Sequence, residues 1–383
     1  MFNFKLYDWK KYKISLLFVI IILSACSTYF VKCALTGEDY ADSYFKKQIF
    51  GIVFSFILML IVSIVDYHAI CQLAVIYYIL GVLMAAATKF SPLGTDQGTN
   101  SFRWLRFGSL TFQPSEICKV ILIISLAAFY NSRKEKTDKV MTLLIATVLA
   151  ALPTVFILVQ SDLSSSLVMM FTFAILVLAA GTAYKILLPI IAIGIPAGIA
   201  LFWYVQQPFQ VLLNKYQKKR ILGWLHPEDY AEDIMWQQNH SVTAIASGKI
   251  YGKALLGEEI RNYKTGHVDV VESDFIFAVI GEEVGFIGSC IVIALLLYII
   301  VKCLITAKHA KDYLGALIAT GISAMFMFQV FANIGVATSL LPNTGLPLPF
   351  LSYGLSSTVG SMISIGLILN IGLQNRMTKE AKV

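Results

Sequence analysis

Apolar residues run in long blocks along this chain, and polar residues collect between them. Ten blocks reach or approach the roughly 17–25 residues that cross a bilayer as a helix. They fall at about 14–31, 49–65, 69–88, 115–130, 139–159, 166–183, 186–206, 275–304, 312–340 and 356–374. The fourth is short; the eighth and ninth are long enough to tilt or to extend beyond the lipid. The pattern predicts an all-α polytopic membrane protein of one domain over residues 1–383, with about ten transmembrane helices and one large polar loop, 207–273. No small-residue cleavage site follows the first block, so it reads as a retained helix. No fixed-period repeat or appended soluble domain is visible.

Composition strengthens the membrane reading. Hydrophobic residues make up 57% of the chain and charged ones 14%, where a soluble domain carries about a quarter charged. An even number of spans puts both termini on one side. Lys and Arg cluster at 5–13, 133–139, Lys185, 302–311 and beyond Arg376. By the positive-inside rule these segments are cytoplasmic, and the long 207–273 loop, too long to weigh in that rule, faces outward. The net charge of +7 is mostly this collar and calls for no nucleic acid. Cys26, Cys33, Cys71, Cys118, Cys290 and Cys303 show no CxxC spacing and read as small apolar residues. The scattered histidines form no metal motif.

Two outward loops hold most of the polar chemistry. In 89–114, Arg103, Trp104 and Arg106 alternate at the membrane surface. They suit an interfacial belt, or a phosphate clamp in which Arg binds bidentately. Pro114 opens the next helix, and Glu116 and Lys119 share one face of it. This pair either holds helices together or serves function, as intramembrane charges commonly do. The loop 207–273 starts with an amphipathic segment that sets Phe209, Val211, Leu212, Leu213 and Tyr216 beside Lys215, Lys218, Lys219 and Arg220. It is expected to lie in the interface as a local anion site. Gly248, Gly252 and Gly257 predict tight turns near a ligand or another backbone.

Asp274 ends this loop at the first step of an apolar helix, Phe275-Ile276-Phe277-Ala278-Val279-Ile280. A carboxylate at that boundary is partly desolvated and can reach water-borne head groups, as a base acting on lipid-linked substrates requires. It is also a good helix N-cap, and the two roles are compatible. Glu282 is expected roughly 12 Å deeper and about 80° around the helix, where it would line the same cavity; Glu283 points nearly opposite Asp274. Asp162, after Gln160-Ser161, reads as the cap of the sixth helix. Between the last two spans, Pro342, Gly345, Pro347, Pro349 and Gly354 make a stiff, non-helical segment that is expected to fold back into the bundle.

The stretch from Pro342 to Ser356 resembles the signature of the SEDS family (shape, elongation, division and sporulation) of RodA, FtsW and SpoVE. Other blocks agree in order and spacing: Arg103-Trp104 with Gln113-Pro114-Ser115-Glu116 and Lys119; Gln160 with Asp162; and Asp274 through Glu283. Trp224, Pro227, Gln237, Ser241, Ala244, Ile245, Gly248 and Gly252 match within the loop. The resemblance covers nearly the whole chain from about residue 14. Departures exist: Leu355 replaces a glycine, Asp269-Val270-Val271-Glu272-Ser273 stands where Pro-Glu-x-His-Thr is usual, and His240, Lys249, Ala254 and Ser164-Ser165 differ from the common residues.

The resemblance implies a peptidoglycan polymerase. It would use lipid II at the outer face of the bacterial plasma membrane and work with a class B penicillin-binding protein, for elongation, division or sporulation. Asp274 carries the family's catalytic acid. Arg103, Trp104, Arg106, Gln113, Glu116, Lys119, Lys218, Arg220, Ser352 and Tyr353 become candidates for holding substrate, with Asp162 and Glu282 behind them. The resemblance fixes no cofactor; a divalent cation, Mg or Mn, is a candidate companion of the leaving pyrophosphate. Two other readings stand beside this one: a lipid II flippase, which would make Glu116, Lys119 and Glu282 central, and a non-catalytic scaffold for the crosslinking enzyme.

Overall fold

The computed structural model describes residues 7–95, 102–108, 110–213, 215–266, 268 and 270–374. Lys5, Asn100, Ser101, Asp269 and the basic residues from Arg376 onward lie outside them. Each predicted apolar block is helical. The first blocks form α1 (Ile14–Leu35), α2 (Ala41–Ile64), a pair α3 (Tyr67–Gln72) and α4 (Ala74–Phe90), then α5 (Pro114–Ser132), α6 (Val140–Val159), α7 (Leu163–Ala179) and α8 (Tyr184–Gln206). The long loop folds into α9 (Lys215–Leu225), α10 (Trp236–Ser247), α11 (Lys253–Leu256) and α12 (Asn262–Thr265). The last three blocks are α13 (Ile276–Lys308), α14 (Tyr313–Ala337) and α15 (Leu355–Leu373). Among these, 8 are long and apolar enough to cross a membrane by length and composition; α4 and α7 are shorter apolar helices.

The centre of the bundle is α14 and α15, whose most apolar stretches are 72% and 78% buried. α15 packs along α2, while α14 packs against α13, α7 and α5. The corresponding stretch of α8 is only 6% buried, and this helix packs chiefly on α9. The outward faces of α1, α2, α6 and α8 carry Phe18, Phe54, Val148, Ile193 and Trp203, all exposed. Apolar surface of this extent fits contact with lipid.

Loop and bundle interlock at α13. Gly285 breaks this helix with φ 65 and ψ −164. The amides of Phe286 and Ile287, freed by the break, donate instead to the carbonyls of Lys249 and Ile250 at 2.9 and 3.2 Å. A Cβ on Gly285 would lie 2.4 Å from the Gly252 nitrogen, and one on Gly248 would lie 2.0 Å from the Gly281 oxygen. The loop glycines Gly248 and Gly252 therefore serve a backbone crossing.

Residues 89–114, expected as a plain loop, contain a small antiparallel sheet: β1 (Gly94–Thr95), β2 (Trp104–Phe107) and β3 (Leu110–Phe112). Phe107 pairs with Leu110 across a tight hairpin in which Gly108 takes φ 62, a left-handed turn conformation that favours glycine. At the other end of the bundle Tyr7 pairs with Gln374, so the two described ends of the chain meet.

Candidate active site

The segment before α13 is held by its backbone. Three successive carbonyls each accept a hydrogen bond from elsewhere: Glu272 from the Tyr353 amide at 2.8 Å, Ser273 from the Ser352 hydroxyl at 2.5 Å, and Asp274 from the Asn333 carboxamide at 2.8 Å. Asn333 also donates to the Leu346 carbonyl at 2.7 Å, and Ser352 accepts from the Leu348 amide at 2.8 Å. The proline-rich segment 341–354 is thus folded back as expected, with Leu346, Leu348, Phe350 and Leu351 buried. The Asp274 side chain does not cap α13; Phe275 holds the cap position. Its Oδ1 accepts from the Ser273 hydroxyl at 3.1 Å.

Charges converge on this carboxylate. Burial is the largest influence and pushes the Asp274 carboxyl above its ordinary range. The Ser273 hydroxyl, then Arg220 and Arg103, pull the other way, and Asp162 adds a further push upward. Arg103 donates through Nη2 to the Ser161 carbonyl at 2.6 Å; its Nε is buried with no hydrogen-bond partner among the described residues. Arg220 donates to the Asn343 carbonyl at 3.2 Å. Asp162 caps α7 through the Ser165 amide at 3.0 Å and also accepts from Ser115 at 3.1 Å and Gln113 at 3.4 Å. Four separate segments therefore act on one carboxylate: two guanidinium groups, a second acid and the turn at Gly345. A methyl group on Gly345 would sit 3.0 Å from Asp274 Oδ2, and its φ of +72 disfavours one in any case. A partly desolvated carboxylate with a raised pKa beside two cations can accept a proton and tolerate an anionic product.

Other predicted residues lie elsewhere. Glu116 and Lys119 form a buried ion pair at 2.7 Å. Arg106 is exposed on β2, and Trp104 is half-buried there. Lys218 turns back to the Gln207 carbonyl at 2.7 Å, and Lys219 pairs with Asp233. The basic segment is therefore divided, and of its members Arg220 is the one that acts on Asp274. Tyr353 stacks on Tyr44. Glu282 does not line a cavity with Asp274. It is fully buried and accepts from Lys253 at 2.6 Å, the Asn262 amide at 2.6 Å, the Tyr263 amide at 3.0 Å and Ser247 at 2.9 Å. Loop residues Ser247, Lys253, Asn262 and Tyr263 cover the face of the helix that carries it. Glu283 likewise takes Arg261, at 2.6 and 3.1 Å, and the Tyr263 hydroxyl at 2.9 Å.

Sequence reasoning missed Asn333 and Gly345. A lone asparagine within an apolar span, and a glycine between Pro342 and Pro347, were the available signals. Among the described residues no group of three or more His, Cys, Asp or Glu side chains is placed to hold a metal ion by itself.

Comparison with known proteins agrees with this fold. The model of the FtsW, RodA and SpoVE family, described as cell cycle protein, matches residues 10–377. The probable peptidoglycan glycosyltransferase FtsW of Geobacter sp. (strain M18) is 31% identical over 367 residues, covering 94% of this chain and 93% of that one. The peptidoglycan glycosyltransferase MrdB of Escherichia coli (strain K12) is 29% identical over 309 residues, covering 80% and 79%. A solved chain from a study of polymerisation and crosslinking by a peptidoglycan synthase complex superposes with TM-score 0.76 at 24% identity, over 96% of this chain and 97% of that one.

Proposed function

This chain belongs to the FtsW/RodA/SpoVE family of cell cycle proteins, and from that premise we propose that it is a multi-pass bacterial membrane enzyme that polymerises peptidoglycan glycan strands, with Asp274 as its general base. The observation that carries the reading is the Asp274 carboxylate, fixed through its own carbonyl, raised in pKa by burial and faced by Arg103 and Arg220.

The substrate is a disaccharide-peptide on undecaprenyl pyrophosphate, lipid II. Asp274 takes the proton from the acceptor sugar's 4-hydroxyl. The oxygen attacks the anomeric carbon of the donor, and the bond from that carbon to the pyrophosphate oxygen breaks, its electron pair leaving with the diphosphate. An α-linked donor becomes a β-linked product in one inverting displacement, which needs one base and no covalent intermediate. The raised pKa brings the base nearer working pH. The charge that develops on the leaving diphosphate is stabilised by Arg103 and Arg220, whose planar guanidinium groups match phosphate oxygens. Lys119 is spent on Glu116 and takes no part in that role.

A class B penicillin-binding protein is the natural partner, because the polymer it would crosslink emerges at the same face. The test is to incubate the purified chain with lipid II, alone and with that partner, and to digest the product with a muramidase that cleaves β-linked strands. Digestible polymer supports the reading, and polymer formed only with the partner adds activation by the complex. Lipid II that stays monomeric in both reactions would count against it.

A further inference from the structure

Beside Asp274 the surface carries a row of tyrosines that the reaction chemistry above does not use. Tyr353 follows Ser352, so it is anchored one residue from the contact with Ser273. Its ring stacks on Tyr44 of α2, centroids 5.0 Å apart and planes 15° from parallel. Tyr40, in the α1–α2 turn, leans on Tyr44 at 4.8 Å and 52°. The Lys47 ammonium lies 5.5 Å from the Tyr44 ring. This turn belongs to the same end of the bundle as the long loop, since the Thr36 carbonyl accepts from Lys264 at 2.8 Å.

The row is not a closed structural stitch. Tyr40 is 45% exposed, and Tyr44 and Tyr353 are half-buried. None of the three hydroxyls has a hydrogen-bond partner among the described residues, whereas Tyr67, Tyr263 and Tyr313, on other elements, each donate to a carboxylate or carbonyl. Glu272 stands next to the row. Its carboxylate acts electrostatically on Tyr40 and Tyr353 and interacts with Asp274 itself. Rings that offer apolar surface and free hydroxyls, with a carboxylate acceptor beside them, match the needs of a pyranose. Its C–H face packs on an aromatic ring while its hydroxyls require donors and acceptors.

We propose that Tyr40, Tyr44, Tyr353 and Glu272 form a saccharide subsite that leads away from Asp274 and holds an N-acetylated pyranose chain while the bond is made. The inference rests on the proposed polymerase reading and adds where the sugar lies. The bound sugar is either the growing strand or the head group of the incoming acceptor; both present the same chemistry.

The test separates binding from catalysis. The full-length chain carrying Asp274→Asn, in lipid nanodiscs, is titrated with a soluble tetrasaccharide of alternating N-acetylglucosamine and N-acetylmuramic acid that lacks lipid and pyrophosphate. Saturable binding is expected. Tyr40→Ala and Tyr44→Leu, each added to that background, should weaken it about 5–10-fold, and Tyr44→Phe by less, since it keeps the stack and loses one hydroxyl. Tyr40 is exposed, so its replacement spares the fold. Equal affinity in Tyr40→Ala, Tyr44→Leu and the parent, or no binding to the parent, would overturn the proposal whether or not the chain polymerises. In the active background, shorter products at equal substrate consumption assign the site to the growing strand. A raised KM with unchanged product lengths assigns it to the acceptor. Product lengths and KM both unchanged would also overturn it.

Discussion

The carboxamide of Asn333 donates to the carbonyl of Asp274 at 2.8 Å and so ties the base to the C-terminal turns of α14, the helix that packs on α13, α7 and α5. The same carboxamide holds Leu346, so one side chain aligns the base and the proline-rich turn that presses on it. Asn333→Ala should cost about 1–3 kcal/mol, the penalty for leaving buried carbonyls unmade. It should lower kcat by more than its shift in melting temperature explains. Thermal unfolding and initial rates on one preparation check both; a rate that falls only in step with folded fraction would reduce Asn333 to packing.

Asp274 is expected to cost stability. Its folded pKa is raised, so the ionised form is disfavoured in the fold. The sign follows: folding is favoured by protonation, and the penalty grows as pH rises from the unfolded pKa through the folded one. Asp274→Asn should therefore melt higher than the parent at neutral pH, with the difference closing in acid. Melting curves across pH decide this, and an Asn variant less stable at neutral pH would contradict it.

The same shift shapes the rate. Turnover should fall as pH drops through a value above the ordinary carboxylate range, because the base becomes protonated. A rate profile with an acid limb at an unshifted carboxylate pKa would remove burial from the account.

Glu282 and Lys253 hold the loop against the half-helix that begins two residues after Asp274. Glu282→Gln leaves a buried ammonium without its counter-charge and should cost about 3–5 kcal/mol. The double change Glu282→Gln with Lys253→Met should recover much of that loss, because no lone charge remains. Denaturant midpoints of the four proteins form the cycle. Additive effects would deny the pairing.

At the opposite end, His68 links two connections. Its Nδ1 lies 2.8 Å from Asp66 and its Nε2 lies 2.6 Å from Asp312. Both partners accept, so the doubly protonated ring satisfies both bonds. The Asp312 bond is the largest influence and raises the His68 pKa, burial opposes it, and Asp66 raises it further. The stabilisation is fully present below the unfolded histidine pKa and lost as pH rises through the folded one. His68→Gln should flatten stability against pH in that window; a profile unchanged by the substitution would show that the histidine does not titrate there.

Much of this was legible in the chain. Apolar block length located the helices, because a membrane span needs length more than any particular residue. Asp162 as a cap, Pro114 as a helix start and the Glu116–Lys119 pair follow from local rules, and all three are found. The sheet at 94–112 was hidden because its strands are 2–4 residues long, too short for alternation to register. The fate of Glu282 was hidden because a helical wheel carries no information about a loop that folds over it. Lys253 and Arg261, which neutralise Glu282 and Glu283, lie 29 and 22 residues upstream of them. Such pairings are tertiary and leave no periodic trace.

The most direct test of the account is the yield of glycan strands from lipid II by the parent chain and by Asp274→Asn, at equal amounts of membrane-inserted protein. The account predicts long strands from the parent and near-complete loss from the amide variant, which keeps the shape of the carboxylate and lacks its basicity. Equal yields from the two would show that Asp274 is not the base.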